Sequence, residues 1–268
     1  MITRVFARNY RSIGEVELEL GTLTALVGPN GSGKSNLADV LRFLGDCMRG
    51  PLSWAVAERQ GFGALRNRRA GEAAKITVGA EVRTEEGQGS WTFTLAPSRA
   101  GDDGFYVESE SATWQTAVIQ GAKHRSPGSG PVLLLPVVGE PSLTPLINEL
   151  RSLAVYTLFP NTLRAPQQSD PSRPMHGSGG NWSSTLRALD RASWGTELLA
   201  GLARIVGDID DYRVAQAGGF IIPEFRHGLD AQGQERWLGA AQESDGTLRV
   251  AAILTALFQE PSPSLMGF

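Results

Sequence analysis

The chain has 268 residues, 25 basic and 28 acidic, for a formal net charge of −3. That length suffices for a substantial core without staples, and the charge gives no net attraction for polyanions, so any nucleic-acid contact must come from a local patch. The single Cys47 excludes an internal disulfide and points to a reducing cytoplasm, the three histidines (His124, His176, His227) lie too far apart for metal-ligand spacing, and no apolar run reaches the length of a membrane span.

Ile2–Phe6 and Val16–Leu20 alternate apolar and polar with period two, which predicts half-buried antiparallel strands joined by turn chemistry at Asn9–Ser12 and Gly14. Leu23–Val27 is a nearly continuous apolar run, the pattern of a central strand buried on both faces, and it ends at Gly28. Leu37, Val40, Leu41 and Leu44 then mark one apolar face of a helix that Gly45 is placed to close. Ile76–Val82, Trp91–Leu95, Phe105–Glu108 and Trp114–Ile119 predict an antiparallel layer. Leu143–Ala154 returns to helical spacing, Val155–Phe159 reads as a strand stopped by Pro160, and Arg164–Trp182 reads as a long loop. Helical patterns at Thr185–Leu189 and Leu198–Val206 and a strand at Phe220–Phe225 complete this stretch.

The strongest chemical signal is Gly28-Pro29-Asn30-Gly31-Ser32-Gly33-Lys34-Ser35, which satisfies G-x-x-x-x-G-K-[ST]. Glycines let the backbone turn tightly and aim successive N–H groups at phosphate oxygens. Lys34 is expected at the β- and γ-phosphates and the Ser35 hydroxyl on Mg²⁺, with Asn36 following in the helix whose N-terminal end favours the anion. The motif says nucleotide without saying task.

A second constellation, Gln242-Glu243-Ser244-Asp245-Gly246-Thr247-Leu248-Arg249, precedes apolar residues at 250, 253, 254 and 257. Taken alone it is an ordinary capped helix start. With the phosphate loop, with Phe6-Ala7-Arg8-Asn9-Tyr10-Arg11-Ser12-Ile13 and with Gly33-Lys34-Ser35-Asn36-Leu37, it resembles the RecF/SMC-like AAA-family ATPases that carry ABC-type heads.

The resemblance implies an α/β P-loop NTPase: an ABC-ATPase-like head with an antiparallel β layer and a helical lobe, of which residues 1–268 form a single incomplete head lacking its C-terminal strands. Its parts run 1–50 (strand, phosphate loop, helix), 70–120 (β layer), 140–240 (helical and mixed lobe) and 241–268 (signature helix and the start of the next strand). It implies ATP and Mg²⁺ as cofactors, Ser244 and Gly246 as γ-phosphate contacts to a partner protomer, and Arg8, Asn9 and Arg11 beside the nucleotide in cis, for which the alternative is a solvated turn. The family places an acidic pair after the strand that begins at Leu265–Phe268, so hydrolysis by this polypeptide alone is expected to be absent or feeble. The acid-bearing stretches Val132–Pro141 and Ile205–Asp211 do not substitute, the first because Pro136 interrupts it and the second because its apolar residues continue a helix. Expected partners are a second copy or a complementary C-terminal chain, with DNA and an effector protein as further candidates and no membrane.

Arg59, Arg66, Arg68 and Arg69 form a local basic patch able to contact DNA phosphates, the alternative being a solvated loop. A different class of function, a non-enzymatic interaction module with a vestigial nucleotide site, would use Ile76–Ile119 as its surface.

Overall fold

The computed structural model describes residues 1–99, 103–115, 117–122, 131–189 and 194–268, arranged as two compact units, Met1–Leu153 and Ala154–Phe268. His124 lies outside the described residues, as does residue 116 within the expected strand Trp114–Ile119.

In the first unit, β1 (Ile2–Tyr10) and β2 (Ile13–Glu19) form a hairpin, followed by α1 (Lys34–Arg49), α2 (Leu52–Ala57) and α3 (Phe62–Leu65). Then come β3 (Ile76–Thr84), β4 (Gly87–Pro97), β5 (Phe105–Trp114), β6 (Ala117–Ala122) and α4 (Thr144–Arg151). The six strands make one antiparallel sheet in the order β2-β1-β3-β4-β5-β6. Alternation sends Val5, Val78, Ala80, Trp91 and Phe93 inward, where α1 lays Val40, Phe43 and Leu44 against them. An aromatic run, Tyr10–Phe43–Phe93–Trp91, links the hairpin to the sheet at centroid distances of 5.7, 6.1 and 4.8 Å. Buried Glu110 takes the Trp91 Nε1–H at 2.9 Å and the Leu135 N–H at 2.9 Å, which fixes the segment after residue 131 to the sheet.

Two expectations in this unit are corrected. Leu23–Val27 is not a buried central strand: it is irregular and no described strand pairs with it, and Leu23 and Val27 are 91% and 92% exposed. An apolar run states what a segment would gain by burial, and here it has no strand beside it to supply that burial. Nor does Gly45 close the first helix, because one glycine in a strongly periodic helix costs only about 1 kcal/mol and the apolar face continues through Cys47 and Met48. The stop is at Gly50.

The second unit begins with β7 (Ala154–Val155), α5 (Pro160–Arg164), β8 (Gln167–Gln168), α6 (Trp182–Ala188) and α7 (Trp194–Ile205). It continues with β9 (Asp211–Ala217), β10 (Phe220–Leu229), β11 (Glu235–Gly239), α8 (Asp245–Phe258) and β12 (Met266–Gly267). β10 pairs antiparallel with β8, β9 and β11, and β12 pairs parallel with β7. Trp182, Leu186, Leu198, Leu202, Phe225 and Leu248 pack in its core, and the Trp182 indole donates to Thr255 Oγ1 at 3.0 Å. The expected strand Val155–Phe159 is only its first residue, since Pro160 starts α5, its ring suited to a first helical turn. The expected loop Arg164–Trp182 contains β8 and is held by buried Gln167, which donates to the Gly179 carbonyl at 2.9 Å and accepts the Ser183 N–H at 2.9 Å. The helix of the Ile205–Asp211 stretch ends at Ile205, and Asp211 opens a strand.

Candidate functional site

The phosphate loop runs from Gly28 to the first turn of α1. Gly31 and Gly33 hold φ of 80° and 100°, left-handed values that a side chain strains to adopt, and an ideal Cβ at Gly31 would meet no atom within 4 Å. The backbone beside Gly31 is therefore open to an approaching group. Gly33 caps α1, whose first N–H groups, at Lys34, Ser35 and Asn36, have no partner within the helix and carry its positive end. The Lys34 ammonium folds over the loop and donates to the carbonyls of Gly28 at 2.7 Å and Pro29 at 2.9 Å and to Ser32 Oγ at 3.4 Å. Ser35 is exposed beside it. This cradle, with a cation, free N–H donors and a hydroxyl, fits a nucleotide polyphosphate and Mg²⁺.

One wall of the same site comes from the tip of the β1–β2 hairpin. The Arg11 N–H donates to the Leu65 carbonyl at 2.6 Å and the Asn67 N–H to the Asn9 carbonyl at 2.9 Å, so the tip is pinned to the segment after α3. Asn36 Nδ2 donates to Ser12 Oγ at 2.5 Å, tying the tip to α1. Arg11, Ser12, Gly31 and Ser32 thereby line an open cleft of about 550 Å³ whose far side carries Arg66, Arg68 and Arg69. Beneath it, Asp39 is the hub of a buried cluster. Its carboxylate accepts the Tyr10 hydroxyl at 2.8 Å and pairs with Arg59 at 3.2 Å and Arg11 at 3.0 Å, while Arg59 also reaches Asp46 at 2.8 Å. Burial, then the neighbouring Asp39 charge, pushes the Tyr10 phenol far above its usual range. Burial opposes the Arg59 charge, but Tyr10, Asp39 and Asp46 together raise its pKa.

In the second unit the turn Glu243–Gly246 enters α8. The Ser244 hydroxyl caps the helix by accepting the Thr247 N–H at 3.0 Å. Ser244, Asp245 and Gly246 are exposed above buried Glu243. Arg164 of α5 pairs with Asp245 at 2.7 Å, and its guanidinium reaches the Glu243 carbonyl at 3.4 Å. From β10, His227 Nε2 meets Glu243 Oε1 at 2.7 Å and Nδ1 meets Asp208 Oδ2 at 2.8 Å.

A comparison with protein families matches residues 23–268 to the family described as "AAA domain, putative AbiEii toxin, Type IV TA system". The chain belongs to that family. No curated protein matches it. Membership in this AAA-domain family makes the chain a P-loop NTPase, and its mixed α/β structure with a large antiparallel sheet agrees. AAA-domain ATPases generally bind ATP with Mg²⁺, the ligand that the Gly28–Ser35 cradle fits.

Against this AAA-domain background the expected site residues fall into three groups. Gly28, Pro29, Asn30, Gly31, Ser32, Gly33, Lys34, Ser35 and Asn36 form the loop and helix start, and Arg11 joins them at the cleft. Arg8 and Asn9 are not among the cleft residues: Arg8 is exposed opposite Glu15 and Thr77, and Asn9 Nδ2 donates to the Lys75 carbonyl at 3.0 Å. Ser244 and Gly246 lie together at the head of α8 in the other unit. The basic patch divides. Arg59 is no surface residue, being held by Asp39 and Asp46, and Arg66 donates to the Glu72 carbonyl beside the Phe62 ring. Arg68 and Arg69 are exposed and have no carboxylate partner among the described residues. Sequence reasoning missed the roles of Asp39, Arg164, His227 and Glu243, because each partner is far away in the chain. Cys47 is buried, as a small hydrophobe, and burial raises its thiol pKa. No described helix is long and apolar enough to cross a membrane.

Proposed function

We propose that the chain binds MgATP on Gly28–Ser35 and pairs head-to-tail with a second copy of a RecF/SMC-like ABC-type head, each copy's Ser244–Gly246 turn gripping the γ-phosphate held by the other. The observation that carries this reading is the loop itself: left-handed Gly31 and Gly33, the first N–H groups of α1, which have no partner within the helix, and the Lys34 ammonium folded over the loop carbonyls come together at the start of α1. Bound MgATP supplies a hydrolysable phosphoanhydride and the cation that screens it. Lys34 neutralises phosphate charge, the α1 N–H groups orient the oxygens, the Ser35 hydroxyl ligates the metal, and Arg11 adds positive charge from the hairpin tip. The absence of a carboxylate from the cleft lining among the described residues favours slow turnover by this chain on its own. The family's printed description, a putative toxin of a type IV toxin–antitoxin system, supports a role in genome defence over one in repair.

Calorimetry with MgATP tests the reading. Saturable binding that Lys34→Ala abolishes, with nucleotide-dependent self-association that Ser244→Ala abolishes, is the expected result. Binding indifferent to Lys34→Ala, or fast turnover indifferent to Ser244→Ala, overturns it.

Exposed Arg68 and Arg69, with no carboxylate partner among the described residues, favour a DNA contact at the mouth of the cleft. Replacing both by Ala then lowers the salt-dependence slope of DNA binding by about 2, close to one per lost phosphate contact. An unchanged slope removes this contact.

A further inference from the structure

A buried charged bridge under the signature turn has no part in the nucleotide contacts above. His227 faces carboxylate oxygens with both ring nitrogens, Glu243 Oε1 at 2.7 Å and Asp208 Oδ2 at 2.8 Å. A neutral imidazole has only one N–H, so two such contacts call for the imidazolium. The His227 and Glu243 side chains are 8% and 4% exposed, which shields that pair from solvent screening, whereas Asp208 is 68% exposed.

The other charged groups on the elements packed around His227 are already engaged. Arg213 of β9 pairs with Glu224 of β10 at 2.5 Å, and Arg226 of β10 pairs with Asp210 at 2.7 Å and with Glu235 of β11 at 2.9 Å. Arg187 of α6 donates to Ser169, Asp211 accepts the Tyr212 N–H, Arg236 of β11 acts on Asp208 through its charge, and Arg164 of α5 holds Asp245. Among the described residues, Asp208 and Glu243 are the carboxylates left to His227. Burial works against its proton, but the two hydrogen bonds and both carboxylate charges outweigh burial and raise its pKa above the ordinary value.

We propose that His227 is a positioning residue for the signature turn: as an imidazolium it anchors Glu243, and so holds the backbone that presents Ser244 and Gly246 in the shape that grips a phosphate. The proposal rests on the reading of that turn given above. Loss of the proton turns one of the two contacts into an acceptor facing an acceptor and leaves Glu243 as a buried carboxylate without its cation, an arrangement relieved by opening the turn. Nucleotide-dependent association therefore weakens as pH rises through the raised His227 pKa.

The experiment follows self-association of the full chain by sedimentation velocity with Mg²⁺ and a non-hydrolysable ATP analogue, from about pH 6 to about pH 9, the range in which a histidine titrates. Amide exchange at Gly246–Leu248 is followed in nucleotide-free protein over the same range. In the wild type the association constant falls by up to about a hundredfold per pH unit above the His227 pKa, the slope of two linked protons, one from each copy, and the turn amides lose protection in parallel. His227→Gln associates weakly at every pH with a flat profile. Glu243→Gln, which keeps a hydrogen-bonding partner for the ring, is also flat and guards against a folding defect in the first variant. A wild-type profile retained by His227→Gln, or turn amides equally protected in the wild type and both variants, overturns the proposal. Should Ser244→Ala associate as strongly as the wild type, the phosphate-gripping role of the turn falls, while the amide comparison still decides whether His227 holds it.

Discussion

Arg59 Nε lies 3.2 Å from Asp39 Oδ1 in a site almost closed to water, and the Tyr10 hydroxyl donates to the other oxygen of the same carboxylate at 2.8 Å. Removing one member of such a pair strands a buried charge. Arg59→Ala is therefore expected to destabilise the Met1–Leu153 unit by about 3–5 kcal/mol, read as a lower urea midpoint. Arg59→Met with Asp39→Leu should cost much less than the two single changes added together, because the two most buried charges leave together, and the partners they lose are the more exposed Arg11 and Asp46, the latter still paired with Arg49.

Gly79 sits mid-strand in β3, where a Cβ would overlap the Phe6 ring and lie 2.6 Å from the Trp91 carbonyl oxygen. Gly79→Ala should cost about 1–3 kcal/mol by overpacking. Gly139→Ala, where a Cβ meets nothing within 4 Å, should be near neutral in the same thermal melts.

Ser244 is both the cap of α8 and a proposed phosphate contact. Ser244→Ala loses the cap and lowers stability by about 1 kcal/mol. Ser244→Asp restores the cap but places a carboxylate where a phosphate has to approach. Its melting temperature should match the wild type while nucleotide-dependent association, measured by light scattering, is lost.

The raised pKa of His227 also fixes the sign of a stability trend. A group whose pKa is higher folded than unfolded contributes its stability in full below the unfolded value and loses it as pH rises through the folded one. Denaturation of the wild type and of His227→Gln at a series of pH values should show the wild type more stable at acidic pH, with the difference shrinking toward alkaline pH. A gap that widens with pH contradicts the assigned charge state.

Local patterns carried much of the fold. The phosphate loop was legible because its chemistry is compressed into eight consecutive residues, Gly28–Ser35. The helices α1 and α8 and the strands β3 and β4 followed from hydrophobic period, with ends displaced by a few residues, whereas β5 runs past the expected end at Glu108 and takes in Trp114, expected to open the next strand. Strands β9 and β11 escaped because Asp211–Ala217 and Glu235–Gly239 are mostly half-buried or exposed and their pattern carries polar and charged residues. Arg59 was assigned to a surface patch by its arginine neighbours, yet its partners stand 20 and 13 residues upstream. His227 had no meaning by itself until β10 brought it to Asp208 and Glu243, 19 and 16 residues away. Such pairings depend on which strands meet, information that a reading of adjacent residues does not contain.

The Lys34 ammonium spends its hydrogen bonds on the carbonyls of Gly28 and Pro29. The loop is thus its own competitor for the cation. On the proposed reading, an arriving phosphate would displace two backbone oxygens rather than capture a hydrated lysine, so Lys34 would contribute to affinity only the difference between anion and carbonyl partners. In return the lysine is ordered before any ligand enters, and little of its rotamer freedom remains to be lost on binding.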